Sequence, residues 1–137
     1  MSANVDLVRS IYAEWERGDF GSVAWADPQI EFVFADGPSP GRWTGVSGMR
    51  EGFRDFLGAW ESYGVESAEY RELDPERVLA LVSFSGSGKA SGVELGLTGQ
   101  RGANLFHIRY GKVTRLVLYW DRDRALAELG LAPEGES

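Results

Sequence analysis

The amino-acid sequence predicts an α+β fold in which N-terminal helices cover one face of a curved antiparallel sheet. Apolar residues recur at helical spacing before Trp60, and after it they alternate with polar residues as in strands. Gly96, Gly99 and Gly102 interrupt the later alternating segment, which predicts bulges and strong bending of the sheet. Residues 1–137 are expected to form one domain, because a chain of 137 residues can bury a single hydrophobic core.

The first predicted element is a helix that ends at Gly18. Its apolar stripe consists of Val5, Val8, Ile11, Tyr12 and Trp15. A short second helix is predicted from Phe20 to Trp25, and the Asp27-Pro28 pair ends it. The apolar run Ile30–Phe34 then predicts a strand, and the composition of residues 36–41 predicts a loop.

A third helix is predicted from about Ser47 to Trp60. Its inward stripe is unusually aromatic and comprises Met49, Phe53, Phe56 and Trp60. The remaining strands are predicted at residues 65–73, 77–85 and 93–110, with turns at residues 74–76 and 86–92 between them. A curved sheet under such helices encloses a conical space, so the aromatic side chains as a set predict an apolar ligand pocket.

Residues 104–121 form the clearest pattern in the chain. Two alternating runs meet at Tyr110-Gly111, which predicts a β-hairpin. One face is expected to carry Asn104, Phe106, Ile108, Leu116, Leu118 and Trp120, and the other Leu105, His107, Arg109, Val113, Val117 and Tyr119. Both faces are apolar, so both need a cover. The helices are expected to cover one face and a second subunit the other.

The last predicted element is a C-terminal helix. Asp121 is expected to cap it through its carboxylate, and the helix is expected to run through Leu129 with Gly130 beyond it.

Composition excludes several classes of function. The chain has no cysteine, one histidine and a net charge of −7, with a pI near 4.7. The negative charge argues against nucleic acid or an anionic membrane as a partner. No signal peptide or apolar membrane span is visible, so a cytoplasmic location is expected. A single histidine without HExxH predicts no transition-metal site, and no motif predicts a cofactor.

Four phrases occur along the chain in the order typical of one superfamily: VRSIYAEWERGDF, ADPQIEF, GMREGFRDF, and GKV followed by YWDRDRAL. In these phrases the sequence resembles the SnoaL-like branch of the nuclear transport factor 2-like superfamily, which includes the ketosteroid isomerases. The resemblance implies a cone-shaped, cystatin-like α+β barrel with a pocket in the cone and a homodimer through the outer sheet face. It implies no single activity, because the superfamily contains isomerases, polyketide cyclases, epoxide hydrolases and proteins that only bind.

The catalytic positions of these relatives can be carried over one at a time. The isomerase base falls on Phe32, the cyclase aspartate on Leu118, and the epoxide hydrolase pair on Val82 and Phe84. None of these side chains can transfer a proton. The second oxyanion group of the isomerases falls on Asn104, which can still donate a hydrogen bond. The resemblance therefore implies an apolar pocket with one amide.

The predicted function is binding of a small hydrophobic or aromatic molecule. The predicted ligand-binding residues are Tyr12, Trp15, Phe32, Phe53, Phe56, Phe84, Asn104, Phe106, Leu118 and Trp120. One alternative is an isomerase, cyclase or hydratase acting on a small cyclic substrate through Asn104 with Asp36 or Tyr12. Another is an interaction protein that does not use its pocket. Asn104 has a competing structural interpretation, in which its amide bonds backbone near the Gly102 bulge.

Overall fold

A computed structural model describes residues 3–17, 19, 23–36, 40–58, 60–88 and 97–131. The helices are α1 (Ala3–Glu16), α2 (Gly45–Gly58) and α3 (Arg122–Glu128). The strands are β1 (Ala26–Phe34), β2 (Gly41–Thr44), β3 (Trp60–Asp74), β4 (Arg77–Gly88), β5 (Leu97–Arg109) and β6 (Lys112–Tyr119). None of these helices has the length and apolar character that crossing a bilayer requires.

The six strands form one curved sheet in the order β2-β1-β6-β5-β4-β3, which confirms the predicted α+β class. Strands β3 to β6 form an antiparallel meander, and β2 pairs antiparallel with β1. The pairing of β1 with β6 is parallel. The prediction of an antiparallel sheet is therefore wrong for this one pair of strands, which lie far apart in the chain.

The helices lie on opposite faces of the sheet. Helices α1 and α2 contact strands of what we call the inner face, whereas α3 contacts β5 and β6 on the outer face. The inner face carries the larger apolar cluster, which includes Phe32, Ala80 and Phe106. The outer face carries a second cluster, in which Ala125 and Leu126 of α3 pack on the strands. This outer cluster consists of Leu79, Leu81, Ala103, Leu105, Val117, Tyr119, Ala125 and Leu126.

Helix α3 thus supplies a cover for apolar outer-face residues that had been assigned to a second subunit. Leu79 and Leu81 are 0% and 1% exposed in the isolated chain. The apolar character of this face therefore does not by itself require a partner, because part of it is buried by the chain's own C-terminal helix.

The hairpin between β5 and β6 confirms the prediction at Tyr110-Gly111. Both residues have positive φ angles, 51° and 73°, as a two-residue type I′ turn requires. Phe106 and Leu116 face inward as predicted, but Val113 also belongs to the inner cluster. The reason is a bulge: Ile108 pairs with Val113 whereas His107 pairs with Arg115, so Thr114 is an extra residue that changes the alternation.

The chain before α2 differs most from the prediction. Residues 20–22 lie outside the described ranges, and Trp25 lies in a turn rather than at a helix end. Strand β1 begins at Ala26 and contains Pro28, where the pairing with β6 is interrupted. Proline has no backbone N–H for the ladder, and Asp27 Oδ1 accepts a hydrogen bond from the backbone N of Gln29 at 2.8 Å instead.

Strand β2 was not predicted, and it leads directly into α2. It pairs with β1 from Glu31↔Thr44 to Phe34↔Gly41. This strand has only four residues, and only one of them, Trp43, is a large apolar residue. Such a short segment shows no alternation from which a strand could be predicted. At the other end of the chain the predicted cap is confirmed, since Asp121 accepts from the backbone N of Asp123 and of Arg124.

Candidate functional site

The inner face is divided by burial into two regions. We call its fully covered part the base; it consists of Val8, Ile11, Trp15, Ile30, Phe32, Met49, Phe53, Phe106, Ile108, Val113 and Leu116. We call its half-buried part the mouth; it consists of Phe56, Leu118 and Trp120, near the C-terminal ends of α2 and β6. Asn104 lies between them, since it pairs in register with Leu118 while Phe106 pairs with Leu116.

The predicted ligand-binding residues of the base pack against one another. The ring centroids of Phe32 and Phe53 are 4.6 Å apart, those of Trp15 and Phe53 5.7 Å, and those of Trp15 and Phe106 6.3 Å. These are separations of directly contacting aromatic pairs. Trp15, Phe32, Phe53 and Phe106 therefore form core in this conformation, and the space between α1, α2 and the sheet is occupied by their rings.

The mouth is more open. Phe56 stacks on Phe34 with a centroid separation of 5.0 Å and meets the edge of Trp120 at 6.4 Å. Phe56, Leu118 and Trp120 are only half-buried, so aromatic and aliphatic surface is accessible here. Among the described side chains of the predicted set, Phe56, Leu118 and Trp120 are the ones that retain accessible surface. The side chain of Phe84 lies outside the part of the chain that the structure describes.

Asn104 and Tyr12 form the polar centre of the inner face. Asn104 is 3% exposed, and its Nδ2 donates a hydrogen bond to Tyr12 Oη at 2.5 Å. Its Oδ1 is also buried and has no hydrogen-bond partner among the described residues. The amide thus bonds a side chain across 92 residues of sequence. This side-chain contact differs from the alternative expectation that the Asn104 amide bonds the backbone near Gly102.

Tyr12 is held in place by its neighbours on α1 and β5. Its ring meets Trp15 edge-on at 4.9 Å and Phe106 at 5.9 Å, and only 1% of the residue is exposed. Such packing fixes the ring, so the hydroxyl stays at the amide of Asn104. The two predicted polar candidates Tyr12 and Asn104 are therefore brought together by the fold.

Asp36, the third catalytic candidate, has a different environment. Its Oδ1 accepts from the backbone N of Trp120 at 2.5 Å, and its Oδ2 accepts from that of Asp121 at 3.2 Å. Both carboxylate oxygens thus hold the end of β6 beside the end of β1. This arrangement positions Trp120 at the mouth, and it uses one lone pair on each oxygen of the Asp36 carboxylate for a structural hydrogen bond.

Arg122 is a buried charged residue that the sequence interpretation missed. It is 7% exposed, and its guanidinium donates to the backbone O of Gly102 at 3.1 Å and of Val82 at 2.8 Å. Burial, and then the neighbouring charge of Arg101, lowers the pKa of Arg122. Its spacing to Ala125 and Leu126, three and four residues on, is the signal that places it on the buried face of α3.

His107 is not part of this site. It lies half-buried on the outer face, directly opposite Arg77 on β4 and Arg115 on β6. Burial, and then the positive charges of Arg115 and Arg77, lowers the pKa of His107. Its position agrees with the alternation predicted for β5 and leaves it on the opposite side of the sheet from Asn104.

A separate surface groove lies where α1 meets the turn between β3 and β4. Its volume is about 460 Å³, and its lining comprises Ala3, Asn4, Glu72, Asp74 and Pro75. None of the predicted ligand-binding residues lines it. No group of three or more potential metal-ligating side chains occurs within the described ranges.

No protein-family model matches the sequence, and no curated protein matches it. Solved structures do match. An NTF2-like protein of unknown function from Burkholderia pseudomallei superposes with a TM-score of 0.76 at 19% identity, covering 93% of this chain and 97% of that one. TerC, co-crystallised with polyporic acid, gives 0.73 at 20% identity, covering 95% and 98%.

A proposed SnoaL-like polyketide cyclase from Mesorhizobium loti also matches, with a TM-score of 0.65 at 15% identity. The aligned part covers 84% of this chain and 97% of that one. Similarity at these identities establishes the architecture and leaves the activity open. The chain therefore has the NTF2-like, cystatin-like α+β fold, as its four sequence phrases predicted.

Proposed function

We propose that the protein binds a small apolar or aromatic molecule at the mouth of the inner face, with Asn104 as its polar anchor. The observation that carries this proposal is the buried amide of Asn104, whose Oδ1 has no partner among the described residues. An unsatisfied buried polar group costs about 1–3 kcal/mol, so a folded protein that retains one needs a compensating reason. A ligand group bonded to Oδ1 supplies that reason.

The surroundings of the amide support an apolar ligand. In the register of the sheet, Asn104 is flanked by Ala80 on β4 and Leu118 on β6. The aromatic surface of Phe56 and Trp120 lies at the same end of the inner face. Pockets of this kind combine an apolar lining with a few placed polar groups, which orient the ligand.

The first test is native mass spectrometry of the freshly purified protein, repeated after denaturation. A non-covalent mass that is released on denaturation would identify a bound compound. Polyporic acid is a second probe, because TerC, which shares the fold, was co-crystallised with it. Binding is then measured by isothermal titration calorimetry.

Variants assign the binding to the mouth. Asn104→Ala is expected to weaken binding about tenfold, since it removes one hydrogen bond in an apolar setting. Asn4→Ala is the matched control, because Asn4 is on α1 and bonds Pro75 O, away from the mouth. Equal affinity of Asn104→Ala and the native protein for every compound would contradict the proposal.

The second candidate function is an isomerase, cyclase or hydratase of the ketosteroid isomerase or polyketide cyclase type. The hydrogen-bonded pair of Asn104 and Tyr12 favours it, because two placed polar groups can stabilise charge that develops on a substrate oxygen. Asp36 contributes less, since backbone N–H groups bond both of its oxygens. Conversion of a bound compound that is abolished in Asn104→Ala, with the compound still bound, would establish this function.

We also propose that the chain forms a homodimer through the part of its outer face away from α3. Arg77, His107 and Arg115 stand side by side there on neighbouring strands, and Arg115 forms an ion pair with Glu31 at 2.8 Å. A half-exposed polar row beside an apolar cluster is compatible with an interface rim. Native mass spectrometry reports the assembly directly, and a monomer at all concentrations would refute it.

A further inference from the structure

We infer that the end of β6 couples the mouth of the inner face to the docking of α3 on the outer face. Trp120, Asp121 and Arg122 follow one another there, and they belong to the mouth, the cap of α3 and the outer face in turn. We call these three residues the junction. Helix α3 is then a strap over the outer apolar cluster, and the order of the mouth decides how firmly the strap is held.

The backbone of the junction is fixed from the end of β1 by one carboxylate. Asp36 accepts hydrogen bonds from the backbone N of Trp120 at 2.5 Å and from that of Asp121 at 3.2 Å. The ring of Trp120 lies on the inner side, where it meets Phe56 at a centroid separation of 6.4 Å. The position of Trp120 at the mouth therefore depends on the order of the junction.

The same segment fixes α3 on the outer face. The carboxylate of Asp121 caps α3, while its backbone N bonds Asp36. The guanidinium of Arg122 donates to Gly102 O at 3.1 Å and to Val82 O at 2.8 Å. Because consecutive residues make these bonds, the junction cannot lose its order on one face of the sheet without affecting the other.

Helix α3 has a docked state and a released state, because it is too short to be stable alone. It has seven residues, whereas an isolated helix needs about 12–15. It is helical only while Ala125 and Leu126 pack on the sheet, where they are 0% and 1% exposed. When α3 is released, apolar residues of the same cluster, such as Leu105 and Val117, become accessible. These are two states whose populations the mouth can shift.

The direction of the coupling follows from the shared bonds. Release of α3 removes the capping and Arg122 contacts, so Trp120 is held less firmly. A ligand that packs on Trp120 binds better when that ring is fixed, and it therefore favours docked α3. By linkage, docked α3 raises the affinity for the ligand by the same factor. This step rests on the proposed binding function, and it predicts that an occupied mouth keeps the outer cluster covered.

Two glycines provide a matched pair of substitutions that test the coupling. Gly130 follows α3 with a φ angle of 69°, and Gly111 precedes β6 with a φ angle of 73°. A Cβ on either residue would meet nothing within 4 Å, so alanine adds backbone strain without a steric clash. Gly130→Ala strains the end of α3, whereas Gly111→Ala places the same strain at the opposite end of β6.

The measurement is amide hydrogen exchange followed by ¹⁵N NMR on the protein without ligand. We expect Gly130→Ala to accelerate exchange of the α3 amides about fivefold, and exchange of the Trp120 and Asp121 amides by a similar factor. The indole Nε1 resonance of Trp120 should also shift. Gly111→Ala should leave the exchange of all these amides within about twofold of the native rates.

A variant on the mouth side tests the coupling in the other direction. Asp36→Ala removes both bonds to the junction, so it should accelerate exchange about fivefold at the backbone N of Leu129 and Leu131, at the far end of α3. Asp27→Ala is the matched control, because Asp27 also accepts from a backbone N, that of Gln29, but at the start of β1. It should change these rates less than twofold.

The outcomes separate the coupling from the proposed binding function. Faster exchange of α3 in Gly130→Ala with the Trp120 and Asp121 amides unchanged would overturn the coupling, as would equal acceleration by Gly111→Ala. Polyporic acid that binds the native protein without slowing exchange of α3 would overturn its ligand dependence. Failure of the binding function is seen separately, as a protein that carries no co-purified mass and binds no probe, and it leaves the ligand-free result intact.

Discussion

The base and the mouth of the inner face are built from the same residue types but differ in what those residues contact. Phe106 is 0% exposed and packs against Tyr12 and Trp15, whereas Phe56 is half-buried at the end of α2. An aromatic ring in a helix or strand pattern therefore does not identify a ligand pocket. Its depth in the fold decides whether it forms core or remains accessible to a ligand.

Asn104 lies at the boundary between these two regions, with the fully covered base on one side and the half-buried mouth on the other. An amide within the base would have to be satisfied by the protein itself, and one beyond the mouth by water. At the boundary, Nδ2 donates to Tyr12 Oη, and Oδ1 has no hydrogen-bond partner among the described residues.

The largest expected effect comes from truncating matched phenylalanines in the two regions. Phe106→Ala should lower the free energy of unfolding by about 3–5 kcal/mol, because it leaves a cavity in a fully packed region. Phe56→Ala should cost about 1–2 kcal/mol, since its ring is already partly exposed. Urea unfolding measures both values. Equal losses would show that the base and the mouth are equally packed.

A second pair of variants tests the packing of α2 over the base. A Cβ on Gly52 would lie 2.9 Å from Trp43 Cδ2 and 3.1 Å from Phe32 Cδ2. Gly52→Ala should therefore destabilise the protein by about 1–3 kcal/mol through overpacking. Gly48→Ala meets its nearest atom, Trp43 Cβ, at 3.4 Å, so its better helix propensity should stabilise the protein by about 0.5–1 kcal/mol.

Reducing the size of residue 43 provides the control for Gly52→Ala. In the double variant Gly52→Ala, Trp43→Leu, part of the crowding is removed, so the cost of adding the methyl group should be smaller than in the native background. A cost that is unchanged would place the strain at Phe32 alone.

A third comparison concerns the polar pair at the boundary. Tyr12→Phe should lower the free energy of unfolding by about 1 kcal/mol, because it removes the bond that Asn104 Nδ2 donates. Replacing both partners, in Tyr12→Phe, Asn104→Leu, should leave the protein at least as stable as the native form, since no amide then remains buried without partners. A double variant less stable than Tyr12→Phe would show that Asn104 contributes to stability beyond its hydrogen bond with Tyr12.

The smallest effect is expected on the outer face, at His107. Its folded-state pKa is lowered, first by burial and then by Arg115 and Arg77, while Asp74 and Glu76 oppose the shift. The unfolded chain therefore binds the proton more readily, and stability falls as the pH falls from about 6.5 toward the folded-state pKa.

His107→Gln should remove this component of the pH dependence. The difference in melting temperature between the native protein and the variant should shift in favour of the variant as the pH falls below about 6.5. Ligand binding at the mouth should be the same in this variant as in the native protein, because His107 lies on the face opposite Asn104. A difference in melting temperature that does not vary with pH would contradict the burial of this imidazole.

Much of the fold followed from local patterns. The stripe of α1, the Tyr110-Gly111 turn and the cap at Asp121 each depend on residues close together in the chain, and the structure confirms all three. The inward positions of Phe106, Leu116 and Leu118 were also predicted correctly, because alternation persists as long as no residue is inserted into the strand.

The features that were missed depend on contacts between distant segments. The bulge at Thr114 reversed the orientation of Val113, and such a bulge is visible only when the partner strand is present. Strand β2 is defined by its pairing with β1, and the buried face of α3 is defined by the sheet beneath it. Arg122 in particular reads as a surface charge until Gly102 O and Val82 O are placed beside it.

The sequence by itself determined the architecture, because periodicity and turn chemistry act over a few residues and are written in the chain. The family resemblance of its four phrases added the expectation of an apolar pocket with one amide, at Asn104. Only the tertiary structure decided which aromatic residues form the base, which remain accessible at the mouth, and that Asn104 bonds Tyr12. Burial and hydrogen bonding between α1 and β5 are properties of the packed molecule, and no local pattern specifies them.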